Sequence, residues 1–382
     1  MFTFFLSSGL FLGWSLGAND ASNVFGTAVG SRMVSFRTAA ICCSIFVLLG
    51  AVISGAGTSH TLGKLGAVDA IAGAFVVALA AALSVYLMTL AKYPVSTSQA
   101  IVGAIVGWNF FSGSVTDHNA LITIVLTWVA CPILSAIIAV IFYMLAQATL
   151  STCKCHLFKL DRFTRYGLLL AGIFGSYSLG ANNIANVVGV FLPVAPFDEI
   201  VLFGLIRFSA AQQLFFLGGI AIGIGVFTYS RRVMETIGGG IFKLSPVMAL
   251  VAVWSHSIVL FLFSSQGLES FLISHGLPGI PLVPVSSSQA IVGAVIGMGL
   301  LKGGRNIRWR TVGGISCGWI ITPLIAGIIS FFCLFFVQNV FQQTVYRSHP
   351  MDNQTQIIGE IHSVPSSNIK VVSIDSLSSY NR

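Results

Sequence analysis

Long apolar runs constrain the fold of this chain more than any other feature. Of its 382 residues, 55% are hydrophobic and only 8% are charged, whereas soluble domains carry about 25% charged residues. Most of the runs approach the length of about 20 residues that crosses a bilayer as a helix. We therefore expect an all-α polytopic membrane protein with about 10–12 transmembrane helices or half-helices. The apolar segments are roughly 2–30, 38–56, 70–91, 94–112, 120–148, 166–193, 200–229, 246–264, 284–300 and 311–338.

The charges between these segments predict which side of the membrane each loop faces. One set of alternate loops holds fourteen of the nineteen Lys and Arg residues, and the other set holds only Lys64 among several acidic residues. Cytoplasmic loops are enriched in Lys and Arg, so we place the basic set inside and both chain termini outside. We expect a multi-pass protein of the plasma (cell inner) membrane, surrounded by lipid. The basic residues lie in short loops between apolar segments, so the net charge of +8 does not indicate a nucleic acid partner.

Two pairs of motifs recur along the chain in the same order. "SLGANDASNVFG" (15–26) and "SLGANNIANVVG" (178–189) match at 8 of 12 positions, and "PVSTSQAIVGAIVG" (94–107) and "PVSSSQAIVGAVIG" (284–297) match at 11 of 14. Each copy contains five apolar segments, an odd number, so the second copy enters the membrane from the opposite side. Two inverted-topology repeats with a binding site at the midplane are typical of secondary transporters.

This duplication divides the chain into four parts. We assign residues 1–150 to the first repeat and residues 166–338 to the second. Residues 151–165 form a basic cytoplasmic linker, and the polar residues 339–382 form a tail that we expect to be disordered. A homodimer is one assembly that such a chain can form.

The PVSxSQ motifs have the features of helices that begin inside the membrane. Proline favours the first position of a helix, and each motif has the S-x-x-Q spacing of a capping box. A helix N-terminus presents free amide groups and the positive end of a dipole to an anion. We therefore predict a site for a tetrahedral anion, although the serines could instead serve only as helix caps. The predicted anion-binding residues are Ser96, Thr97, Ser98, Gln99, Ser286, Ser287, Ser288 and Gln289.

The GAN(D/N)xxN motifs place one carboxylate and several carboxamides within apolar segments. A carboxylate is costly inside a membrane, so Asp20 indicates a functional site. One carboxylate with several amide oxygens suits Na⁺, although Asp20 could instead carry a proton, or the amides could simply hold helices together. The predicted cation-binding residues are Asp20, Asn19, Asn23, Asn182, Asn183 and Asn186, with Na⁺ at Asp20, Asn23, Asn183 and Asn186.

Other polar residues in apolar segments carry weaker expectations. Arg207 either reaches the outer interface or attracts an anion, and His256 is either satisfied within the bundle or relays protons. We expect Gln212 and Gln213 to hold helices together. The sequence has no P-loop, nucleophile elbow or zinc signature, so we predict neither an enzyme nor an ATP-driven pump, and no cofactor besides a coupling cation.

The four repeated motifs resemble the twin signatures of the inorganic phosphate transporter (PiT) family, and "YSRRVMETIGGGIFKLSPV" (229–247) is similar to its cytoplasmic stretch. The resemblance covers about residues 10–335. It implies a symporter that imports inorganic phosphate with Na⁺ or H⁺ by alternating access. A minority of members resemble sulfate permeases, so the nearest alternative is a sulfate permease on the same scaffold. Alternatives from other classes are an anion channel and a nutrient sensor without transport.

Two positions depart from the pattern of that family. Asn183 stands where many members carry Asp, and Val47 stands where many carry Glu. Both changes remove an acidic group near the expected site, which leaves Asp20 as the main intramembrane carboxylate. The identity and number of coupling cations are therefore open at this stage.

Overall fold

The computed structural model describes residues 2–66, 68–90, 95–152, 156–202, 206–237, 244–305 and 307–347, and within these ranges the chain is mainly helical. Part of the predicted linker and most of the predicted tail lie outside the described residues. The helices are α1 (Phe2–Gly30), α2 (Phe36–Ser54), α3 (Ala56–Leu65), α4 (Ile71–Leu90), α5 (Thr97–Ser112), α6 (His118–Thr152), α7 (Leu157–Val188), α8 (Ala210–Thr228), α9 (Ser230–Ile237), α10 (Pro246–Leu262), α11 (Gln266–Ser274), α12 (Ser287–Leu301) and α13 (Trp309–Asn339).

The described helices include several that can cross a membrane. By length and composition, α2, α4, α6, α8 and α13 qualify alone, and α10 with α11 qualify together as a pair bent by 67°. Helices α1 and α7 are long enough, at 29 and 32 residues, but carry the polar GAN motifs. This content agrees with the prediction of an all-α polytopic membrane protein, whereas the inversion of the two copies and the domain boundaries stay predictions.

The structure corrects the start of one predicted segment. Residues Ile200–Leu202 (β1) and Ile206–Phe208 (β2) pair as antiparallel strands, and α8 begins only at Ala210. The expected apolar segment 200–229 is therefore a hairpin followed by a helix. Short apolar runs rich in β-branched residues suit either structure, and hydrophobicity alone does not separate them.

Polar residues at this hairpin have local roles. Arg207 is 82% exposed, and its Nε lies 3.8 Å from Glu199 Oε1. Gln212 completes a capping box with Ser209 at the start of α8. Gln213 Nε2 donates to the carbonyl of Asp198 at 2.7 Å. The expectation that the two glutamines hold helices together is wrong, because both shape the junction between hairpin and helix.

Each of the two PVSxSQ helices packs against a helix from the other copy. Helix α5 lies along α13, and α12 lies along α6, so each packs against the helix that follows the other motif in the chain. A Cβ added at Gly103 would collide with the backbone of Pro323 in α13, and one at Gly293 would collide with that of Pro132 in α6. Such backbone contacts are typical of small residues in membrane helices.

Helices α1 and α7 carry the GAN motifs through the interior. The residues of α1 from 15 to 28, and those of the second motif from 178 to 189, are buried without interruption. A Cβ added at Gly17 would collide with the backbone of Ile222 in α8, and one at Gly180 would collide with that of Val47 in α2. The glycine of each motif therefore lets a neighbouring helix approach the polar residues that follow it.

Candidate functional site

The N-termini of α5 and α12 lie at the candidate site. Helix α5 begins one residue after Ser96, whose hydroxyl accepts from the amide of Gln99 at 3.3 Å. Helix α12 begins one residue after Ser286, whose hydroxyl accepts from the amide of Gln289 at 3.3 Å. The prediction that each motif begins a helix is confirmed, and its serine is the N-cap.

Two details of the predicted helix starts are wrong. Pro284 lies two residues before the N-cap of α12, outside the helix rather than in its first turn, and Pro94 lies outside the described residues. The predicted capping box is incomplete, because neither Gln99 Oε1 nor Gln289 Oε1 has a hydrogen-bond partner. The S-x-x-Q spacing permits the return bond without requiring it, so two buried carboxamide oxygens remain for a ligand.

Asp20 is buried in the middle of α1, with 2% of its surface exposed. Its Oδ1 accepts from Asn19 Nδ2 at 2.9 Å, and its carboxylate lies beside the hydroxyl of Thr97 at the start of α5. Asn19 Nδ2 also donates to the carbonyl of Val95 at 3.2 Å. In the described part of the chain, no Lys, Arg or His nitrogen lies within 4 Å of this carboxylate. Because a buried ionised carboxylate is costly without a counter-charge, Asp20 is suited to a cation or a proton.

The corresponding residues of α7 form a neutral network. Asn183 Oδ1 accepts from Ser98 Oγ at 3.2 Å and from Asn186 Nδ2 at 2.9 Å, and Asn186 Nδ2 also lies 2.9 Å from Ser98 Oγ. Ser98 Oγ is also 3.0 Å from the carbonyl of Val285. Asn183, which stands at the position of Asp20 in the repeated sequence motif, is therefore tied to the start of α5.

A second network joins α1 to the start of α12. Asn23 Nδ2 donates to Ser287 Oγ at 3.1 Å, and the same oxygen lies 2.9 Å from Nε2 of His256 in α10. His256 is fully buried. It therefore belongs to the site, which the sequence analysis left undecided. The available signal was its place in the middle of an apolar helix, where an ionisable side chain indicates function.

The two predicted sets of residues are interleaved in space. Asn23 of the first copy bonds to Ser287 of the second, and Asn186 of the second bonds to Ser98 of the first. All fourteen predicted residues are buried, with at most 4% of any one exposed. The remaining members also lie here: Asn182 Nδ2 donates to the carbonyl of Val283 at 3.2 Å, and Ser288 Oγ lies 3.1 Å from Ser286 Oγ. The anion and cation sets thus occupy one site.

This site contains several buried polar atoms without a hydrogen-bond partner, which protein interiors rarely leave in that state. The carboxamide oxygens among them are suitable ligands for a hard cation such as Na⁺. In the described ranges, no group of three or more His, Cys, Asp or Glu residues lies together, so the donor set does not suit a transition metal. The atoms are Thr97 Oγ1, Gln99 Oε1, Asn182 Oδ1, Asn183 Nδ2, Asn186 Oδ1, His256 Nδ1 and Gln289 Oε1.

This helical membrane fold has helices that begin in its interior, and unpartnered polar groups are buried at their starts. These are the features of a membrane transporter. The sequence model of the phosphate transporter family matches residues 16–160, 157–270 and 279–377, and the chain belongs to this family. The resemblance seen in the motifs is thereby confirmed. A family of transporters also agrees with the prediction that the chain is not an enzyme, and it supports an integral membrane protein.

Individual relatives differ in the anion for which they are named. The chain is 29% identical to a predicted phosphate permease of Methanocaldococcus jannaschii, over 83% of this chain and 91% of that protein. It is also 29% identical to the sulfate permease CysP of Bacillus subtilis, over 84% of each. A solved structure, described as a sodium-dependent phosphate transporter, matches with a TM-score of 0.69 at 23% identity, over 88% of this chain and 98% of that one. That match shows the fold.

Proposed function

We propose that this protein imports inorganic phosphate across the plasma membrane by symport with Na⁺, through alternating access. The observation that carries the proposal is the buried network in which each GAN motif bonds to the PVSxSQ motif of the other copy. It puts groups suited to an anion and groups suited to a cation in one place. The family, and the names of the relatives, favour phosphate as the anion.

The starts of α5 and α12 bind phosphate in this proposal. Each helix N-terminus has amide groups without intrahelical partners, which favour an anion. The hydroxyls of Thr97, Ser98, Ser287 and Ser288, with Ser96, Ser286, Gln99 and Gln289, complete the proposed set. No Lys or Arg lies at these helix starts in the described part of the chain, so the anion would be held by neutral dipoles and by the cation beside it.

Asp20, Asn23, Asn183 and Asn186 hold Na⁺ in this proposal, with Asn19 and Asn182 bracing them. The residues fit a monovalent cation, because they offer one carboxylate and several carboxamide oxygens. Asn186 Oδ1 has no partner within the described residues, and Asp20 lacks a counter-charge there. Since Asn183 and Val47 are neutral, a single carboxylate serves the site, and we infer that fewer cations are coupled than in members with more acidic groups.

Coupling follows from the proximity of the two charges. A lone anion or cation buried in a low-dielectric interior pays a large desolvation free energy, which an opposite charge nearby offsets. With Asp20 ionised, phosphate alone would add a second uncompensated negative charge to the interior, whereas Na⁺ bound beside Asp20 offsets it, so phosphate passes through the occluded state together with Na⁺. This difference is what converts a Na⁺ gradient into phosphate accumulation.

Uptake of labelled phosphate into proteoliposomes, with Na⁺ and pH gradients varied independently, tests the proposal. We expect accumulation that requires inward Na⁺ and persists without a pH gradient. Accumulation driven by a pH gradient alone would instead assign H⁺ symport, with Asp20 as the proton carrier. Phosphate flux that only equilibrates and ignores both gradients would indicate an anion channel and refute symport.

Sulfate import is the second candidate function, because a relative that is also 29% identical in sequence to this chain is named as a sulfate permease. Phosphate and sulfate have the same tetrahedral shape, so helix starts and hydroxyls accommodate both. Uptake of labelled sulfate under the same gradients separates the two functions. Sulfate accumulation that unlabelled phosphate does not inhibit would replace phosphate as the assigned substrate.

A further inference from the structure

A cavity of about 530 Å³ lies beside the segment that leads into α12. It is bounded by α3, the start of α6, the first turn of α11 and residues 281–283. The loop charges predict that these elements lie on the outer face of the membrane. We call this cavity the outer vestibule, and define it by His60, Lys64, Asn119, Gln266, Glu269 and Leu282.

One face of α3 lines the vestibule and brings a positive charge to it. His60 and Thr61 precede Lys64 by four and three residues, which places the three side chains on the same side of the helix. His60 and Lys64 are exposed, and among the described residues no carboxylate lies within 4 Å of the Lys64 ammonium. An ammonium and an imidazole N–H group one turn apart are suitable donors to an oxyanion.

A short stretch of chain lies between the vestibule and the buried site. On the vestibule side, Thr61 Oγ1 donates to the carbonyl of Leu282 at 2.5 Å. The carbonyl of the next residue, Val283, accepts from Asn182 Nδ2 of the buried site at 3.2 Å. An anion in the vestibule therefore has one layer of backbone between it and the carboxamides of the site.

Helix α3 connects the vestibule to the buried site. Thr58 Oγ1 donates to the carbonyl of Ala181, in the second GAN motif, at 3.3 Å. A Cβ added at Gly57 would lie 3.0 Å from both Leu282 Cδ1 and Gln266 Cγ, so α3 packs closely against the approach to α12. The charged wall of the vestibule is thus built on a helix that also contacts the motifs of the site.

We propose that the outer vestibule is a second binding site for inorganic phosphate, which the anion occupies before it enters the buried site. Lys64 supplies an opposite charge, His60 supplies an N–H donor, and Asn119 and Gln266 supply carboxamide NH₂ groups. A cleft with such a lining also raises the rate at which an anion arrives from solution. The inference rests on phosphate as the transported anion of the proposed function, and it adds an entry site on a different part of the fold.

The described lining of the vestibule also includes two carboxylates, which keep phosphate binding weak. Asp117 Oδ1 accepts from the backbone amides of Asn119 and Ala120 at 2.9 and 3.1 Å, so the positive end of α6 offsets part of its charge. Glu269 stands in the first turn of α11 and repels an anion. Sites along a transport path bind strongly enough to be occupied but weakly enough to be left. Lys64 and Glu269 therefore have opposite effects on phosphate.

The first test compares Lys64→Gln with Glu269→Gln. Uptake of labelled phosphate is measured in cells that express the protein and lack other phosphate transporters, so that its natural orientation is kept. We expect the phosphate KM to rise about threefold to tenfold in Lys64→Gln and to fall about twofold to threefold in Glu269→Gln, with maximal uptake retained. Lys64→Arg should keep the KM of the unmodified protein. Raised salt outside the cells should reduce both differences, because it screens exposed charges.

Lys302→Gln is the matched control. Lys302 lies at the end of α12, on the face predicted to be cytoplasmic, with Nζ 5.4 Å from the centre of the Tyr143 ring. We expect its loss to leave the KM for external phosphate unchanged. An equal rise of the KM in Lys64→Gln and Lys302→Gln, or no rise in Lys64→Gln, would overturn the entry site. A half-saturating Na⁺ concentration that rises in Glu269→Gln, with the phosphate KM unchanged, would assign the vestibule to the cation and overturn it as well.

The second test measures occupancy of the vestibule directly. Thr123 lies on the α6 wall, so Thr123→Cys places a thiol there for a membrane-impermeant maleimide, and labelling of the unmodified protein gives the background from native cysteines. In the absence of Na⁺, which the buried site needs for loading, we expect phosphate to slow the labelling at least about twofold. This protection should be lost when Thr123→Cys is combined with Lys64→Gln.

The outcomes separate the entry site from the proposed function. Labelling that phosphate does not slow would overturn the entry site, and protection that survives Lys64→Gln would refute the role of Lys64. Protection by sulfate but not by phosphate would overturn this inference and phosphate import together. Symport is tested by the Na⁺ dependence of uptake by the unmodified protein, and its failure would leave the KM shifts and the protection as they are.

Discussion

Replacing Asp20 with Asn removes the one carboxylate of the site while leaving its shape almost unchanged. The Asn19 bond to Oδ1, 2.9 Å long, can form equally well to an asparagine carbonyl oxygen. The side chain is buried in α1 without a cationic partner within 4 Å among the described residues. The substitution therefore breaks no ion pair there, and we expect the protein to fold and insert normally.

The substitution is expected to weaken cation binding. The attraction between a cation and a carboxylate about 4 Å apart is about 4 kcal/mol at the effective dielectric constant of a protein site. Since a carboxamide oxygen retains part of the coordination, we expect the variant to lose about 2–4 kcal/mol of cation affinity, which is roughly a 30-fold to 1,000-fold rise in the Na⁺ concentration for half-maximal uptake.

The assay is Na⁺-dependent uptake of labelled phosphate into proteoliposomes at saturating phosphate, with the amount of inserted protein measured for each variant. Asp161→Asn is the matched control. That carboxylate lies 3.7 Å from Arg165 on the surface, with 48% of its side chain exposed, and exposed pairs contribute little. We expect the control to behave as the unmodified protein. Full Na⁺-coupled accumulation by Asp20→Asn would remove Asp20 from the mechanism and refute the proposed cation site.

Three further predictions follow from the same geometry. Gln289→Ala removes a buried carboxamide whose NH₂ group can donate to phosphate, and we expect the phosphate KM to rise about tenfold with maximal uptake retained; an unchanged KM would exclude Gln289 from the anion site. Gly103→Val forces a side chain into the backbone of Pro323 and should destabilise the protein by about 1–3 kcal/mol in thermal unfolding, whereas Gly63→Ala, where an added Cβ meets nothing within 4 Å, should not. Asn183→Asp restores a second carboxylate, so we expect a steeper dependence of uptake on Na⁺ concentration; an unchanged Hill coefficient would show that this position does not set the number of cations.

The candidate site was largely predictable because its residues appear twice. Near-identity of two polar-headed segments identified the hydroxyls, and the GAN repeat identified the amides. What the repeat did not predict was His256, which has no equivalent in a repeated motif. Its role comes from a contact with Ser287, 31 residues away in the chain, and contacts of this kind are set by how helices pack.

The sequence by itself determined the class of fold and the places where helices begin. Hydropathy and N-capping depend on a residue and its near neighbours, so Ser96 and Ser286 could be identified as helix starts from their surroundings in the chain. Even there, local reasoning failed where two structures satisfy one pattern: Ile200–Leu202 and Ile206–Phe208 pair as strands, and Gln99 and Gln289 do not complete their capping boxes.

Only the tertiary structure decided how the motifs combine. Asn23 and Ser287 are 264 residues apart in the chain, and Ser98 and Asn186 are 88 apart. Their pairing depends on the close approach of four helices, which the glycines permit without specifying a partner. The same packing places donors behind Ser287 and a carboxylate beside Thr97. Two almost identical sequence motifs thereby acquire different chemistry, because hydrogen-bonding roles are set by neighbours in space rather than by neighbours along the chain.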